Sequence, residues 1–175
     1  MSAVRFVVMF AAIAFLGFAG GFIADDAMTE AEKPLPVLAS AELRPEPMPY
    51  TLPLQYAAWT IYWCDKADVP VWLISRLYDV ESWWNPHAVS HAGARGIAQI
   101  IESNFADFSK RYNSGRPIDP HDPETAIRVG ILYLADLYAT FKDWPRAVGA
   151  YNAGPYVAPG KWKNETVRYV RAILG

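Results

Sequence analysis

Apolar residues recur at helical spacing through most of the sequence after residue 53. The run 54–68 is apolar and aromatic and contains no glycine or proline, which predicts a first helix. Pro70 suits the first turn of a second helix, because the N–H that proline lacks would be unpaired there. The apolar stripe of this second helix consists of Leu73, Leu77 and Val80. Asn85-Pro86 should end it, since the residue before a proline is disfavoured in the α region.

The rest of the pattern predicts four more helices and a mainly α fold. A third helix is expected after Gly96, and a loop over 113–123 holds three prolines. The inward face of the third helix would comprise Ile97, Ile100 and Ile101. The fourth helix keeps one apolar face formed by Ile127, Ile131, Leu134, Tyr138 and Phe141. Pro145 opens a short fifth helix, and a sixth is expected over 165–174. No alternating strand stands out, although residues 87–96 allow a small hairpin.

Two segments of different composition precede the predicted domain, which is expected over 54–175. Residues 1–24 carry one charge, and the run 6–24 has none, about the length of a bilayer-spanning helix. The segment also suits a signal peptide, so a cleaved signal and a retained membrane anchor both remain open. Either predicts export to the periplasm or cell envelope, with anchoring to the inner membrane if the segment persists. Residues 25–53 hold six prolines and six acidic residues, which favours an extended linker.

The overall charge and the cysteine count exclude several classes of protein. A net charge of -2 gives no reason to expect binding to nucleic acid. A single cysteine, Cys64, excludes an intrachain disulfide and a zinc cluster of thiolates. His87 and His91 are four residues apart but lie in a glycine-rich loop, and the sequence contains no HExxH motif. No metal site is therefore predicted.

Glu81 is the candidate acid. It falls at the carboxyl end of the second helix, where the helix dipole disfavours a carboxylate, and Trp83-Trp84 follows it. Burial against apolar surface and a negative dipole both raise the pKa of a carboxyl group. A carboxyl group that stays protonated near neutral pH can protonate a glycosidic oxygen. From position alone, however, a solvated glutamate at a helix end is the favoured interpretation. No second carboxylate has a spacing that ties it to Glu81.

Three ordered blocks resemble a known family. The stretch ESWWNPHAVSHAGARGIAQI at 81–100 is similar to the signature of the soluble-type lytic transglycosylases, which are goose-lysozyme-like glycosidases. AYNAGP at 150–155 and ETVRYV at 165–170 resemble two further blocks of that family. The resemblance covers about residues 54–175. It implies a lysozyme-like α fold with a cleft for the glycan of peptidoglycan, and no metal or organic cofactor.

The resemblance also implies roles for individual residues. Glu81 matches the catalytic acid/base. The residues that match cleft positions are Ser90, Gln99, Tyr151, Asn152 and Tyr169, and the hydroxyl of the last is expected near Glu81. Gly93 and Gly96 match a tight turn. The sequence departs from the family pattern at Ile101, which stands where the family has a methionine near the sugar's acetamido pocket. It also has Trp83-Trp84 where the family more often has any residue followed by Phe.

The activity that the resemblance implies is cleavage of the β-1,4 bond between N-acetylmuramic acid and N-acetylglucosamine, leaving a 1,6-anhydro end. A hydrolytic muramidase using the same glutamate is the first alternative. A non-catalytic glycan-binding subunit of an assembly is the second. Peptidoglycan strands are the expected partner, with the membrane if residues 1–24 persist. A secretion, conjugation or phage apparatus would fit an enzyme that opens the wall locally, and a phage-associated location is the alternative to the cell envelope.

Overall fold

The computed structural model describes residues 50–175, and this part of the chain is helical. Its six α-helices are α1 (Leu54–Ala67), α2 (Val71–Ser82), α3 (Phe105–Tyr112), α4 (Pro123–Phe141), α5 (Trp144–Ala153) and α6 (Asn164–Leu174). Two 3-10 turns lie at Glu102–Asn104 and Pro159–Lys161. The described residues pair as strands only at two isolated bridges. The predicted mainly α class is confirmed.

The predictions for the start of the chain fall largely outside this range. The apolar segment 1–24 and most of the linker lie among residues that the structure does not describe. Of the helices in residues 50–175, none combines the length and apolar character that crossing a bilayer requires.

Helix α4 forms the middle of the core. It packs against α1 and α5, while α2 packs against α1 and α6. The predicted inward residues Ile127, Ile131 and Leu134 are fully buried. The start of α4 is fixed by Asp122, whose carboxylate accepts the backbone N–H of Thr125 at 2.9 Å. Side-chain capping of this kind satisfies a backbone donor that the first helical turn leaves unpaired.

The end of α2 is formed by two tryptophans in an unusual backbone conformation. Trp83 and Trp84 have φ angles of 54° and 58°, the left-handed region that bulky residues rarely adopt. The N–H of Trp83 donates to the carbonyl of Asp79 at 3.2 Å, closing the last turn of the helix. The helix therefore ends directly after Glu81-Ser82, and the chain turns sharply away from its axis.

The predicted third helix is wrong at its start. Residues 96–99 form a turn, and the backbone of Ile100 exchanges two 3.0 Å hydrogen bonds with Arg95. Helix α3 begins only at Phe105. The cause is backbone geometry, since Gly96 and Gln99 have φ angles of 75° and 49°, which a right-handed helix cannot include. Ile97 and Ile100 are buried as expected, whereas Ile101 is half-buried.

The other elements agree with the sequence prediction to within a few residues. The loop predicted over 113–123 is present, and α4 starts at its last residue. The small hairpin allowed at 87–96 is reduced to a single bridge between Val89 and Arg95. Together with the Arg95–Ile100 bridge, this pairing folds residues 89–100 into a compact double turn beside the end of α2.

Candidate active site

Glu81 is buried in the last turn of α2, with 7% of its surface exposed. Its Oε1 accepts a hydrogen bond of 2.5 Å from the hydroxyl of Tyr169 on α6. Its Oε2 has no hydrogen-bond partner among the described residues. One carboxyl oxygen is thus held by the protein, and the other retains its capacity to bond a ligand.

Burial raises the pKa of Glu81 to about 8, and the hydrogen bond from Tyr169 opposes this rise by favouring the charged form. Burial also raises the pKa of Tyr169 well above its usual value, and the nearby charge of Glu81 adds to the rise. The phenol therefore keeps its proton and acts as the donor. Near neutral pH, Glu81 is a protonated acid in contact with a neutral hydroxyl.

The charge of Glu81 also acts on Tyr151 of α5. Its pKa is raised well above the usual value, first by burial, with contributions from Tyr78 and Glu81. Its hydroxyl donates to the backbone carbonyl of Ala98 at 2.9 Å. This bond connects α5 to the double turn at the residue before Gln99. The charge of Glu81 therefore acts on a tyrosine of α5 and on one of α6, and Tyr169 on α6 also hydrogen-bonds to it.

Gln99 occupies the turn itself. Its Nε2 donates to the carbonyl of Gly96 at 2.8 Å, and its side chain is buried. Gln99, Tyr151, Tyr133 and Ile101 line one small pocket next to this turn. Ile101, the residue that departs from the family pattern, thus shares a pocket with two of the predicted cleft residues.

Asn152 follows Tyr151 on α5 and is fixed from α6. Its Oδ1 accepts a 2.8 Å hydrogen bond from the hydroxyl of Thr166, and both side chains are buried. Its Nδ2 has no partner among residues 50–175. Because the threonine hydroxyl occupies the acceptor end of the amide, the donor end is the one left unpaired.

Ser90 makes its contacts within its own loop. Its Oγ accepts the N–H of Ala94 at 3.0 Å, and its own N–H donates to the carbonyl of Ala94 at 2.9 Å. Gly93, with φ of 79°, makes this turn accessible to the backbone. The serine hydroxyl therefore shapes the 90–94 turn, and the structure gives it no hydrogen bond to Glu81, Gln99, Tyr151 or Asn152.

Two supporting residues escape prediction from sequence. The hydroxyl of Ser82 donates to the carbonyl of Ile97 at 2.9 Å and ties the end of α2 to the double turn. Thr166 orients Asn152, as described above. Both lie inside the quoted blocks, Ser82 beside Glu81 and Thr166 three residues before Tyr169 on one helix face. That helical spacing is the signal that could have identified Thr166.

Glycine is required where the double turn meets the loop after α3. A β-carbon at Gly96 would lie 1.7 Å from the backbone carbonyl oxygen of Pro120, an impossible contact. The predicted tight turn at Gly96 thus has a steric origin.

Within the described residues, no three His, Cys, Asp or Glu side chains come together as metal ligands.

A buried glutamate that stays protonated near neutral pH is the kind of acid that lysozyme uses. The chain belongs to the transglycosylase SLT domain family, whose model matches residues 59–169.

Similar proteins and structures agree with this assignment. The chain is 34% identical over 94 residues to membrane-bound lytic murein transglycosylase C of Haemophilus ducreyi, covering 47% of this chain and 26% of that protein. It is 37% identical over 79 residues to the soluble lytic murein transglycosylase of Escherichia coli K12, covering 43% of this chain and 12% of that protein. The chain therefore spans only a small part of the length of these relatives.

The fold recurs in solved structures. An inactive mutant of the lytic transglycosylase Slt from Pseudomonas aeruginosa superimposes with a TM-score of 0.58 at 23% identity, covering 69% of this chain and 23% of that one. The 70 kDa soluble lytic transglycosylase Slt70 from Escherichia coli gives a TM-score of 0.53 at 27% identity, covering 70% of this chain and 19% of that one. The lysozyme-like fold expected from the three blocks is confirmed.

Proposed function

We propose that this protein is a peptidoglycan lytic transglycosylase that cleaves the β-1,4 bond between N-acetylmuramic acid and N-acetylglucosamine. The observation that carries the proposal is the state of Glu81, a buried acid with a pKa of about 8 and one free carboxyl oxygen. Membership of the transglycosylase SLT domain family supports the same reaction. No metal or organic cofactor has a part in the proposed chemistry.

In the first step, Glu81 donates its proton to the glycosidic oxygen as the bond to C1 breaks. General acid catalysis works best with an acid that is protonated at the working pH and within reach of the leaving oxygen. Because the sequence offers no second carboxylate paired with Glu81, the positive charge at C1 is stabilised by the sugar's own 2-acetamido group. Substrate assistance of this kind is an established exception to the two-carboxylate rule.

In the second step, Glu81 acts as a base. The hydrogen bond from Tyr169 lowers the pKa of Glu81, which means that it favours the carboxylate over the acid. The same bond therefore stabilises the carboxylate that the first step produces. The carboxylate takes the proton of the muramoyl C6 hydroxyl, and O6 bonds to C1. The product is a 1,6-anhydro end, no water is consumed, and Glu81 regains its proton.

Three further residues are proposed to bind the glycan, and a fourth to shape the loop beside it. Gln99 and Tyr151 line the pocket beside the double turn, where an acetamido group would meet Ile101 instead of a methionine. Asn152 has an unpaired amide N–H that suits a carbonyl or hydroxyl oxygen of the substrate. Ser90 contributes by shaping the loop that borders the cleft, since its hydroxyl already accepts the N–H of Ala94.

Mass spectrometry of purified sacculi digested with the full chain tests the reaction. We expect 1,6-anhydro-muramoyl ends, which the Glu81→Gln variant should not release although it folds. Reducing muramoyl ends would identify a hydrolytic muramidase, in which water replaces the C6 hydroxyl. Binding to sacculi without release of any product would identify a non-catalytic glycan-binding subunit. Substantial turnover by Glu81→Gln would remove Glu81 from the catalytic role.

The proposed place of action is the cell envelope, where the wall would be remodelled or opened locally. The names of the relatives, one membrane-bound and one soluble murein enzyme, suit such a location. A secretion, conjugation or phage apparatus is the proposed kind of partner for local opening. Sequencing the amino terminus of the mature protein tests whether residues 1–24 are removed or retained as an anchor.

A further inference from the structure

Trp83 presents its indole ring to solvent two residues after Glu81. Its exposed fraction is 84%, the second largest among the exposed large apolar side chains of the described residues. Its φ angle of 54° is one that bulky side chains adopt only at a cost in free energy. The angle itself belongs to the left-handed C-cap of α2, as Asp68 and Lys142 cap α1 and α4, but a bulky residue is not needed for it. Neither apolar burial nor backbone preference accounts for a tryptophan here.

The aromatic residue that packing requires in this segment is the next one. Trp84 is buried, meets Tyr78 edge-on at 5.2 Å between ring centroids and stacks on Tyr56 at 6.0 Å. Within residues 50–175 the ring of Trp83 neither stacks on another aromatic ring nor meets a cation.

The backbone on either side of Trp83 is firmly held. The hydroxyl of Ser82 donates to the carbonyl of Ile97, and the N–H of Trp83 donates to the carbonyl of Asp79. Buried Trp84 fixes the other side. Because successive Cα atoms are about 3.8 Å apart, the Cα of Trp83 lies within about 7.6 Å of that of Glu81. An exposed aromatic side chain is therefore attached to a rigid turn whose backbone lies close to that of the proposed acid.

We propose that Trp83 is a binding platform on which a pyranose ring of the glycan stacks, next to the sugar that Glu81 protonates. This inference rests on the proposed function. The apolar C–H face of a pyranose matches the flat, electron-rich face of an indole ring, and tryptophan supplies a large contact area with little loss of conformational entropy. Its role is to determine affinity and the register of the strand, with no part in proton transfer.

Binding of purified sacculi in the Glu81→Gln background tests the platform without turnover. We expect Trp83→Asn in this background to weaken binding about tenfold, whereas Trp83→Tyr, which retains an aromatic face, weakens it much less. Tyr62→Ala is the matched control, because Tyr62 is an exposed aromatic residue of α1 that is not among the residues proposed to bind glycan, and it should leave binding unchanged. Equal binding by Trp83→Asn and its parent would overturn the platform.

Thermal unfolding separates the platform from a structural role. Asparagine adopts the left-handed region more readily than tryptophan, so the unfolding midpoint of Trp83→Asn should be unchanged or higher. A lower midpoint that accounts for the lost binding would make Trp83 a structural residue and overturn the inference. In active protein, we expect Trp83→Asn to raise KM on soluble glycan strands more than it lowers kcat.

The failure of the platform and that of the proposed function are distinguishable. Anhydro products from the unaltered chain, with binding that ignores Trp83, would leave the activity standing and refute the platform. Binding that depends on Trp83 without any product would refute the activity and leave the platform. A chain that neither binds nor cleaves sacculi would refute both.

Discussion

At the scale of single residues, the protonation state of Glu81 governs both the proposed chemistry and the stability of the fold. Burial raises its pKa from 4.5 to about 8 in the folded chain. Between these two values the folded protein holds a proton that the unfolded chain has lost. The free energy of unfolding therefore falls as pH rises from about 4.5 to 8 and levels off above 8.

Replacing Glu81 by Gln removes this titration while retaining an oxygen that can accept the hydroxyl of Tyr169. We expect Glu81→Gln to be more stable than the parent at pH 8, by on the order of 4 kcal/mol, and the gain to vanish at pH 4.5. Denaturant unfolding at the two pH values measures it. Glu102→Gln, an exposed carboxylate paired with Arg95, is the control and should show no such gain. A gain independent of pH would mean that Glu81 is not buried as a neutral acid.

Tyr169 adjusts the acidity of Glu81 through one hydrogen bond. Tyr169→Phe removes the donor that favours the carboxylate, so the pKa of Glu81 should rise further. In the parent, kcat/KM should decline above a pH of about 8, because only the protonated free enzyme can begin the reaction. In Tyr169→Phe this decline should move to higher pH, and kcat should fall about 10-fold to 100-fold as the carboxylate loses its donor. A pH–rate profile measures both effects, and an unshifted decline would separate Tyr169 from the titration of Glu81.

At the scale of helices and turns, apolar spacing predicts where helices lie but not where the backbone leaves the helical region. The apolar positions of α2 and α4 predict helices correctly, because a long helix must keep the same face buried over several turns. The third helix is predicted from three isoleucines, of which Ile97 and Ile100 are buried. Three apolar residues are too few to distinguish a helix from a double turn. The deciding contacts are the close approach of Gly96 to Pro120 and the backbone pairing of Arg95 with Ile100, and local periodicity reports neither.

The site divides in the same way. Position alone makes Glu81 an unremarkable helix-end carboxylate, and its pairing with Tyr169, 88 residues away, follows only from the resemblance of the ordered blocks. The bond between Thr166 and Asn152 joins two blocks whose spacing implies no contact, so the sequence does not reveal it. Ser90 is the opposite case: the resemblance implies a cleft residue, but its hydroxyl makes its hydrogen bond within its own loop.

The bond between α5 and α6 at Asn152 can be tested with a matched pair of variants. Thr166→Val keeps the side-chain shape but removes the donor, leaving the buried Oδ1 of Asn152 unpaired. We expect a loss of about 1–3 kcal/mol in the free energy of unfolding, whereas Thr166→Ser should retain most of it. If the amide binds glycan, Thr166→Val should also raise KM at temperatures where it remains folded. Equal behaviour of the Val and Ser variants would show that the hydroxyl does not orient Asn152.

At the scale of the whole molecule, the packed chain begins before the first helix. The hydroxyl of Ser75 on α2 donates to the carbonyl of Thr51 at 2.9 Å, and Ser75 is fully buried. Leu52 packs against the core, and the carbonyl of Pro53 accepts the N–H of Tyr56. The boundary expected at residue 54 stays a prediction, and the contacts of residues 51–53 with the helices are the reason to test it.

Two shortened chains test this boundary. We expect a chain beginning at Tyr50 to unfold at the same denaturant midpoint as the full chain, and a chain beginning at Leu54 to lose about 2–4 kcal/mol. The loss combines an unpaired, buried hydroxyl of Ser75 with the lost apolar contacts of Leu52. Ser75→Ala separates the two contributions, since it should lower the stability of the longer chain but have little effect in the shorter one. Equal stability of the two chains would place the boundary at residue 54, and a weaker chain from Tyr50 would assign part of the stability to residues that precede it.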